Sequence, residues 1–417
     1  MAIDKNYVPK LYKVTANMTT KQWEDERRNS IGGSDMAVIM GLSPYGKTKR
    51  ELYYDKVGVT PIKQKPDYEK QIIFDSGHFL ENMVADLFSY RTGLETYEVK
   101  AMFEHPLHPH IRGNIDRFYR YKGTKSPISF MECKSTTEYN REWDNDSIPP
   151  QYSVQIATYM AILNLDFCKI SCLFIPEQLR YVAGILFQLK NVFGALSKDT
   201  LGDIRDQLLH ISDAETKLYV PMVLSALGGE FLVPNHLLEE TSDAVGKKFI
   251  IRHVERDETL EEEILSKADD FWFNFVKKGI EPSLDDENGS DAISTLNRFV
   301  TKKPMKSKIL PNSVLTNIKQ IAELKKKKSE LDARKKQYDA QIQKLSVPII
   351  EALDGCSNGT VIENPFVSHQ VSYCGKEKTY FPKKNLEKLR NSYPEAYDEC
   401  VENEQTSASL TLKEVRK

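Results

Sequence analysis

Residues 111–135 read IRGNIDRFYRYKGTKSPISFMECKS, and this stretch predicts two neighbouring strands joined by a turn. The middle of the stretch contains Gly, Ser and Pro, which favour a turn. Alternate side chains of a strand share a face, so Glu132 and Lys134 are expected to point the same way. If the hairpin is centred on Thr124, Asp116 lies directly across from Glu132, and opposed residues have Cβ atoms about 4.5–5.5 Å apart. The stretch therefore predicts two adjacent carboxylates with an amine beside them.

Two adjacent carboxylates repel each other, so this arrangement predicts a cation between them. Mg²⁺ is the expected ion and Mn²⁺ the substitute, because both prefer hard oxygen ligands and bind phosphate oxygens well. Such an ion activates water and stabilises charge on phosphorus. Lys134 would orient or deprotonate that water, or neutralise charge on the phosphate. An E-x-K pair alone is equally compatible with a surface hairpin that carries a salt bridge, so the prediction depends on further residues.

A helix is predicted to begin at residues 74–77 and to end near Thr92-Gly93, with an apolar stripe at 3.6-residue spacing. The stripe consists of Leu80, Met83, Val84, Leu87 and Phe88. Glu81 lies at its edge and is expected to reach the sheet face that carries Glu132; the alternative is a solvated glutamate at the edge of the helix.

A second helix is predicted from Pro149-Pro150 to about Leu163. Its polar side chains fall on one face otherwise flanked by apolar residues, namely Gln151, Gln155, Thr158 and Tyr159. A polar stripe on a core helix needs hydrogen-bond partners, which an active site and a DNA backbone would supply. A capped surface helix is the alternative.

Strands are predicted at 95–104, 111–121, 128–135, 167–175 and 249–254, and an amphipathic helix at 258–278. Together with the helices above they predict an α/β core with a mixed central sheet flanked by helices. Residues 1–285 are expected to form this domain, with a helical insertion at about 177–247 and a polar linker at 61–72.

Residues 286–417 are expected to form a C-terminal helical extension with a small β element. Within it, residues 301–346 carry 13 Lys/Arg against 4 Asp/Glu. This Lys-rich segment is predicted to be a helical hairpin or stalk. It would contact DNA phosphates by charge, be merely solvated, or dock a partner or another subunit. A strand pair and a helix at 384–401 are predicted to follow it.

The composition narrows the function classes. The 417 residues carry a net charge of −2, so any basic surface must be local. The six cysteines include no C-x-x-C pair, and no His or Cys lies near enough in sequence to Cys168 and Cys172 to complete a metal site. Neither a zinc ion nor an iron–sulfur cluster is therefore expected. No secretory signal and no run of 18 apolar residues are found, so a cytoplasmic protein without membrane attachment is expected.

Five ordered blocks resemble the YqaJ/lambda-type exonuclease branch of the PD-(D/E)xK nucleases. The blocks are Arg27-Arg28-Asn29-Ser30-Ile31-Gly32-Gly33-Ser34-Asp35, Gly77-x-x-x-Glu81, Gly113-Asn114-x-Asp116, Glu132-x-Lys134 and Gln155-x-x-Thr158-Tyr159-Met160. The resemblance covers roughly residues 20–175 and resumes at 254–258, running on through the following helix. It implies the PD-(D/E)xK fold for the core.

The resemblance also implies an activity: Mg²⁺-dependent, processive 5′-to-3′ digestion of linear double-stranded DNA. The 3′ single strand left behind would pass to a single-strand annealing protein, and the nuclease would form a ring-shaped oligomer, commonly a trimer.

The same resemblance implies three sets of site residues. The catalytic set is Asp116, Glu132, Lys134, Glu81 and Gln155. The metal-binding set is Asp116, Glu132, Cys133 and Glu81. The DNA-binding set is Arg27, Arg28, Ser34, Gln151 and Tyr159. Arg27 and Ser34 would hold the 5′-phosphate of the cut end; the alternative for Ser34 is a plain helix N-cap.

Two other functions stay open at this stage. The first is a PD-(D/E)xK endonuclease of a defence or repair system, since fold and motif do not fix the substrate. The second is a non-catalytic DNA-binding scaffold on the same fold, against which the intact Asp116, Glu132 and Lys134 argue.

Overall fold

The protein is represented by a computed structural model, which describes residues 5–62, 68–137, 140–194, 235–300, 308–364 and 367–372, with isolated positions between 199 and 210. The chain forms two compact units, Met1–Thr301 and Lys302–Lys417. Among the described helices, none has the length and apolar character that a membrane crossing requires.

The described strands of the first unit form two sheets. In chain order they are β1 (Lys10–Val14), β2 (Leu94–Tyr97), β3 (Ala101–Glu104), β4 (Arg112–Asn114), β5 (Arg117–Tyr121), β6 (Ser129–Thr137), β7 (Phe167–Ile175) and β8 (Phe249–Glu255). The larger sheet has the order β2-β5-β6-β7-β8, and the smaller one has the order β1-β3-β4. Strands β6 and β7 are parallel while the other pairs of the larger sheet are antiparallel, so the predicted mixed sheet is confirmed.

The described part of the first unit also contains several α-helices. They are α1 (Thr20–Arg28), α2 (Gly33–Ile39), α3 (Lys49–Lys56), α4 (Tyr68–Thr92), α5 (Pro150–Leu163), α6 (Glu177–Gly194), α7 (Asn235–Val245), α8 (Glu258–Asp270) and α9 (Gly289–Phe299). A π-helical turn, Phe271–Val276, continues α8. One face of β6 packs through Phe130 with α2, α5 and α8, and the other packs through Met131 and Cys133 with α4 and α6.

Helix α5 crosses from β6 to the parallel strand β7, as a parallel pair requires. Pro150 occupies its first turn, where a fixed φ suits a helix start. Asn164 ends it in the left-handed conformation with φ of 51°. This crossover places the polar residues of α5 over the sheet face that carries Phe130 and Glu132.

Two predicted strands are each broken. Residues 95–104 form β2 and β3, and residues 111–121 form β4 and β5, in different sheets. The second break falls at Ile115-Asp116, where buried Ile115 enters the core and the chain passes from the smaller to the larger sheet. Helix α4 begins at Tyr68, not near Phe74, because no glycine or proline interrupts residues 68–76.

The predicted helical insertion at 177–247 is described at its ends by α6 and α7. Apart from the isolated positions noted above, residues 195–234 lie outside the described part, and the prediction for them stays a prediction.

The second unit contains one long helix, α10 (Leu315–Leu353), followed by an antiparallel strand pair, β9 (Asn358–Asn364) and β10 (Val367–Ser372). A helical hairpin is therefore wrong for residues 315–346, and the stalk is the form observed. The reason is the absence of any turn residue there: no Gly or Pro interrupts the run before Pro348. The predicted helix at 384–401 lies outside the described residues.

Candidate active site

The register of β5 and β6 brings Asp116 beside Glu132. Phe118 pairs with Phe130 and Arg117 with Met131, so one further step places Asp116 opposite Glu132. Asp116 Oδ2 accepts a hydrogen bond of 2.9 Å from the backbone N–H of Cys133, the residue after Glu132. The cross-strand register predicted from a hairpin centred on Thr124 is thus the observed one.

Glu132 is 1% exposed and uses only one of its two oxygens. Oε1 accepts hydrogen bonds of 2.6 Å from Lys134 Nζ and of 2.6 Å from Gln155 Nε2. Oε2 is buried and has no hydrogen-bond partner within the described part of the chain. Burial, followed by the nearby Asp116 carboxylate, raises the pKa of Glu132 to about 8. A buried oxygen without a partner costs free energy unless a ligand satisfies it.

Lys134 stays protonated in this environment. Burial lowers its pKa, but the carboxylates of Glu132 and Asp116 outweigh burial and raise it above the ordinary value. Its Nζ also lies 4.9 Å from the centroid of the Tyr152 ring, a cation–π contact. A lysine held charged suits orientation and charge neutralisation better than proton abstraction, which narrows the roles predicted for it.

Glu81 comes from helix α4, whose apolar side chains pack on the sheet face opposite to the one that carries Glu132. Its helix α4 packs on the face that carries Met131 and Cys133, and its carboxylate forms an ion pair with Arg117. Burial and then Asp116 raise the pKa of Glu81 to about 7, although Arg117 lowers it. Glu81 is thus electrostatically coupled to Asp116, which directly precedes β5, and its charge also raises the pKa of Glu132.

The Cys133 side chain does not face the carboxylates. It is 8% exposed and packs in the apolar cluster with residues of α4. Burial, then the charges of Asp116 and Glu81, raise the pKa of this thiol well above its ordinary value. A neutral thiol is a poor metal ligand, so the backbone carbonyl is the group that this residue has to offer a cation.

Two glycines leave room for the side chains that hold Glu132. Gln155, which donates to Glu132, also lies 3.2 Å from the Tyr159 hydroxyl. A Cβ added at Gly33 would come within 2.9 Å of Gln155 Cγ and of Tyr159 Cε1, and one at Gly113 within 2.8 Å of Tyr159 Cε1. Both distances are shorter than van der Waals contact, so this part of the site depends on glycine at both positions.

The predicted polar stripe of α5 divides. Gln155 and Tyr159 lie at the carboxylates as described, but Gln151 Nε2 lies 3.4 Å from Glu142 Oε2. Thr158 is fully buried and donates a hydrogen bond of 2.8 Å to the Val154 carbonyl of its own helix. Gln151 and Thr158 therefore make their hydrogen bonds outside the carboxylate cluster.

Arg27 and Ser34 lie together at the start of α2. Arg27 Nη2 donates to Ser34 Oγ at 3.2 Å, and its guanidinium lies 4.8 Å from the Trp23 ring centroid. Arg28 points elsewhere, with hydrogen bonds of 3.1 Å to Asp25 Oδ1 and 3.1 Å to the Asp55 carbonyl. Ser34 is not the helix N-cap, because Gly32 occupies that position.

A buried ion pair between Lys56 and Asp35 anchors the segment that carries Arg27 and Ser34. Lys56 Nζ lies 2.7 Å from Asp35 Oδ2 and 2.9 Å from the Arg27 carbonyl oxygen. Asp35 Oδ2 also accepts from the Gly32 N–H at 3.0 Å. Burial by itself would raise the pKa of Asp35. The positive charges of Lys56 and then Arg27 lower this pKa by more than burial raises it, so it lies well below its ordinary value. The pair anchors the backbone between Arg27 and Asp35.

Sequence reasoning did not single out Arg117, Tyr152, Lys56 or the structural role of Gly113. Arg117 was the most accessible of these, because strand alternation places it on the face opposite to Asp116, where a buried cation needs a partner. Tyr152 lies one helical turn before Gln155, which is the only signal for its contact with Lys134. Lys56 carried no signal, since its partner Asp35 is 21 positions away.

Part of the chain matches a known family model. Residues 22–166 match the model of the YqaJ-like viral recombinase domain. This is the family that the five sequence blocks resemble. The chain is 24% identical over 401 residues to the uncharacterized protein YqaJ of Bacillus subtilis (strain 168), with 96% of each chain covered.

Solved structures that match this chain include an alkaline exonuclease (LHK-Exo) from Laribacter hongkongensis and its complex with dAMP. In both comparisons the TM-score is 0.36 at 15% identity, covering 63% of this chain and 95% of the other.

Proposed function

We propose that this chain is a divalent-metal-dependent deoxyribonuclease that digests linear double-stranded DNA from its ends. The observation that carries the proposal is the buried carboxylate pair, in which Glu132 Oε2 has no partner within the described residues. Ionic groups are rarely buried together unless a ligand or a function compensates their desolvation. The YqaJ-like domain supports the same reaction class.

The residues present fit a hard divalent cation. Asp116 and Glu132 offer carboxylate oxygens from neighbouring strands, and the Cys133 backbone offers a carbonyl oxygen, which is the donor set that Mg²⁺ or Mn²⁺ prefers. Glu81, on helix α4, would adjust the local charge. When bound, such an ion supplies Lewis-acid stabilisation of the phosphodiester and activation of the attacking water.

The chain's own residues would then perform three tasks. Charged Lys134 would orient water and neutralise charge that develops on the phosphate oxygens. Gln155 would hold the Glu132 carboxylate in place through the hydrogen bond of 2.6 Å. Tyr159, fitted between Gly33 and Gly113, would keep Gln155 in position. The roles of Lys134 and Gln155 follow from the same oxygen, Glu132 Oε1, which both of them contact.

The direction of digestion depends on how a DNA end is held. Arg27 and Ser34 lie in contact and together offer a guanidinium and a hydroxyl, groups that bind phosphate well. We assign them to the 5′-phosphate, with 5′-to-3′ digestion and a 3′ single strand as the product for an annealing protein. Gln151 and Arg28, which form hydrogen bonds elsewhere, would contact DNA away from this pair. The chain would also form a ring-shaped homotrimer through which the duplex passes. Light scattering tests this proposal, because the trimer has three times the mass of one chain.

A substrate panel tests the function. Linear duplexes with 5′-phosphate or 5′-hydroxyl ends and covalently closed circles are incubated with Mg²⁺, with Mn²⁺ or with EDTA. We expect metal-dependent release of nucleotides from 5′-phosphorylated linear duplex only. Cleavage of closed circles would instead favour the endonuclease, and binding without any cleavage would favour the non-catalytic scaffold.

Matched variants locate the reaction. Glu132→Gln and Lys134→Ala are expected to reduce cleavage by at least about a hundredfold, while circular dichroism stays that of the unchanged chain. Arg27→Ala should mainly reduce the preference for a 5′-phosphate, and its neighbour Arg28→Ala, which is hydrogen-bonded elsewhere, serves as the control. Wild-type cleavage by Lys134→Ala would contradict the role given to that lysine.

A further inference from the structure

A cluster of imidazoles lies outside the proposed nuclease site. The loop between β3 and β4 reads Glu104-His105-Pro106-Leu107-His108-Pro109-His110, so three of the eight histidines of the chain fall within six residues. Asp269, near the end of α8, meets this loop from a distant part of the sequence. His110 precedes β4 and Asp116 follows it, so the cluster and the carboxylate pair are attached to opposite ends of that strand.

The cluster has the composition and spacing of a metal site. Asp269 Oδ1 lies 2.9 Å from His108 Nδ1 and 3.0 Å from His110 Nε2. One ligand atom from each of the three residues lies within 4.8 Å of the others. In a tetrahedral zinc site with bonds of about 2.0–2.1 Å, ligand atoms are roughly 3.3 Å apart, so rotations of these side chains would close the gap.

His110 provides an independent reason to expect a ligand. It is 6% exposed, and its Nε2 is buried without a hydrogen bond. Asp269 Oδ1 lies 3.0 Å from this nitrogen as another potential ligand and does not form a hydrogen bond with it. An imidazole nitrogen that carries no proton keeps a lone pair for coordination. Buried ring nitrogens without partners are rare unless a ligand satisfies them.

The surroundings hold the loop in a fixed shape. The His110 ring stacks on Trp272 at a centroid distance of 5.7 Å. His105 Nδ1 accepts hydrogen bonds of 3.2 Å from the backbone N–H groups of Leu107 and His108. Such supporting contacts keep ligand side chains in position and are typical of metal sites.

We propose that His108, His110 and Asp269 bind a borderline-soft transition-metal ion of the Zn²⁺ class, at a site separate from the nuclease carboxylates. Two imidazoles and one carboxylate favour Zn²⁺ or a related ion over Mg²⁺, which prefers all-oxygen surroundings. The ion joins the β3–β4 loop to α8 and thereby fastens the smaller sheet to the helix layer. The cysteine spacing gave no sign of zinc because histidine and carboxylate, not thiolate, supply the ligands.

Metal titration of the full chain tests the site. The chain is stripped with EDTA and titrated with Co²⁺, whose visible absorption reports nitrogen and oxygen coordination, in excess Mg²⁺ to occupy the nuclease carboxylates. Zn²⁺ then displaces Co²⁺, and elemental analysis gives the stoichiometry. Glu132→Gln serves as the background that removes the proposed nuclease centre, and no DNA is present, so this result does not depend on whether cleavage occurs.

We expect one Co²⁺ per chain both in the unchanged chain and in Glu132→Gln. His110→Ala and Asp269→Asn should weaken binding at least about tenfold and abolish the rise in melting temperature on adding Zn²⁺. His253→Asn is the matched control, because His253 is exposed and lies outside the cluster. His108→Asn, at a half-buried position, replaces His110→Ala if the latter does not fold.

Two results would overturn the proposal. The first is an absence of Co²⁺ and Zn²⁺ binding in the folded chain under excess Mg²⁺. The second is binding that survives His108→Asn and Asp269→Asn but disappears in Glu132→Gln, which would assign the ion to the carboxylate pair.

Discussion

Glu132 Oε2 is the buried carboxylate oxygen that has no hydrogen-bond partner among the described residues, and it is the atom proposed to bind the cation. Lys134 and Gln155 both use the other oxygen of the same carboxyl group. The group therefore has one oxygen without a hydrogen bond, and burial, followed by the Asp116 charge, raises its pKa so that it binds a proton when no cation is present. Proton and divalent ion compete for the same carboxylate.

The raised pKa makes ion binding dependent on pH. The Glu132 carboxyl has a pKa of about 8 against the ordinary 4.5, and only the deprotonated form is a ligand. We expect the apparent affinity for Mg²⁺ to rise by up to about tenfold per pH unit as the pH approaches 8, and to level off above it. Calorimetry in buffers of different ionisation enthalpy measures both the affinity and the proton released.

The same shift has a consequence for stability without metal. Between pH 4.5 and 8 the folded chain holds a proton on Glu132 that the unfolded chain has lost, so stability falls as the pH rises through this window. The Glu132→Gln side chain cannot ionise, so the free energy of unfolding of this variant should fall less between pH 4.5 and 8.

The prediction on ion binding has its own contradicting outcome. A Mg²⁺ affinity that stays constant from pH 6 to 8 would contradict the assignment of the ion to the Glu132 carboxyl.

Gly113→Ala should damage the site without touching a charged group. The new Cβ would lie 2.8 Å from the Tyr159 ring and 3.2 Å from Ile162 Cδ1. Overpacking of this kind costs about 1–3 kcal/mol, and a displaced Tyr159 moves Gln155 away from Glu132. We expect a lower melting temperature and a lower cleavage rate at saturating DNA. Combining Gly113→Ala with Tyr159→Leu should recover part of the stability, and no recovery would show that the ring is not the obstacle.

Among the site residues, the sequence predicts those whose chemistry can be inferred from residue type and spacing. Asp116, Glu132 and Lys134 follow from strand alternation and a symmetric turn, and Gln155 follows from helical spacing. Gly33 and Gly113 were visible only as small residues in their blocks. Their function is to admit Tyr159 from a segment more than 40 positions away from Gly113, and no local pattern encodes that contact.

For strands β4 and β5, the sequence predicts where the extended residues lie but not which strands they pair with. Residues 111–121 have the alternation of one strand, yet β4 pairs with β3 and β5 pairs with β2 and β6. Propensity is local, whereas the choice of sheet depends on tertiary packing of Ile115 in the core. The break is useful, because it frees the Asp116 carboxylate to bond the Cys133 N–H.

The long helix of the second unit is the stalk, one of the two forms predicted for the Lys-rich segment. Lysine, glutamate, leucine and alanine all favour helix, and nothing between residues 315 and 347 ends it. The hairpin, the other predicted form, would have needed a turn that this composition does not supply.

The crossing of α4 and α6 depends on Gly184. A Cβ added there would lie 2.1 Å from the Ile72 carbonyl oxygen and 2.6 Å from Ile72 Cγ2. Because the obstacle includes backbone, the two helices must separate, and we expect Gly184→Ala to cost about 3 kcal/mol in the free energy of unfolding. Chemical denaturation measures it.

Gly77→Ala is the matched control, since Gly77 lies within α4 and a Cβ there would meet nothing within 4 Å. Alanine is favoured over glycine in a helix by about 1 kcal/mol, so this variant should be neutral or slightly more stable. Equal losses in the two variants would indicate that the helix crossing is not the cause.

On the scale of the whole molecule, charge is distributed unevenly although the net charge is only −2. Lys325–Lys328 form an exposed block on α10, and the Lys-rich segment carries an excess of positive charge. A charged helix of this kind would bind DNA phosphates independently of sequence. Composition alone identified this segment, but it cannot distinguish a DNA contact from a solvated helix.

Salt dependence of DNA binding separates these two interpretations. Replacing Lys325–Lys328 with glutamine should reduce the slope of log affinity against log salt by about 0.9 for each phosphate that the helix no longer neutralises. The cleavage rate at saturating DNA should stay the same. Lys247 and Lys248, also exposed, are replaced with glutamine as the control. An unchanged slope in the four-lysine variant would leave α10 without a role in DNA binding.

The passage of the chain from one sheet to the other at Asp116 has a practical consequence. Strand β1 hydrogen-bonds β3, β3 hydrogen-bonds β4, and β4 leads within two residues to the acid that would grip the cation. Removing residues 5–14 for crystallisation would thus leave β3 without its outer partner and weaken the support of Asp116 opposite Glu132. This loss would occur although no deleted atom lies in the proposed catalytic centre.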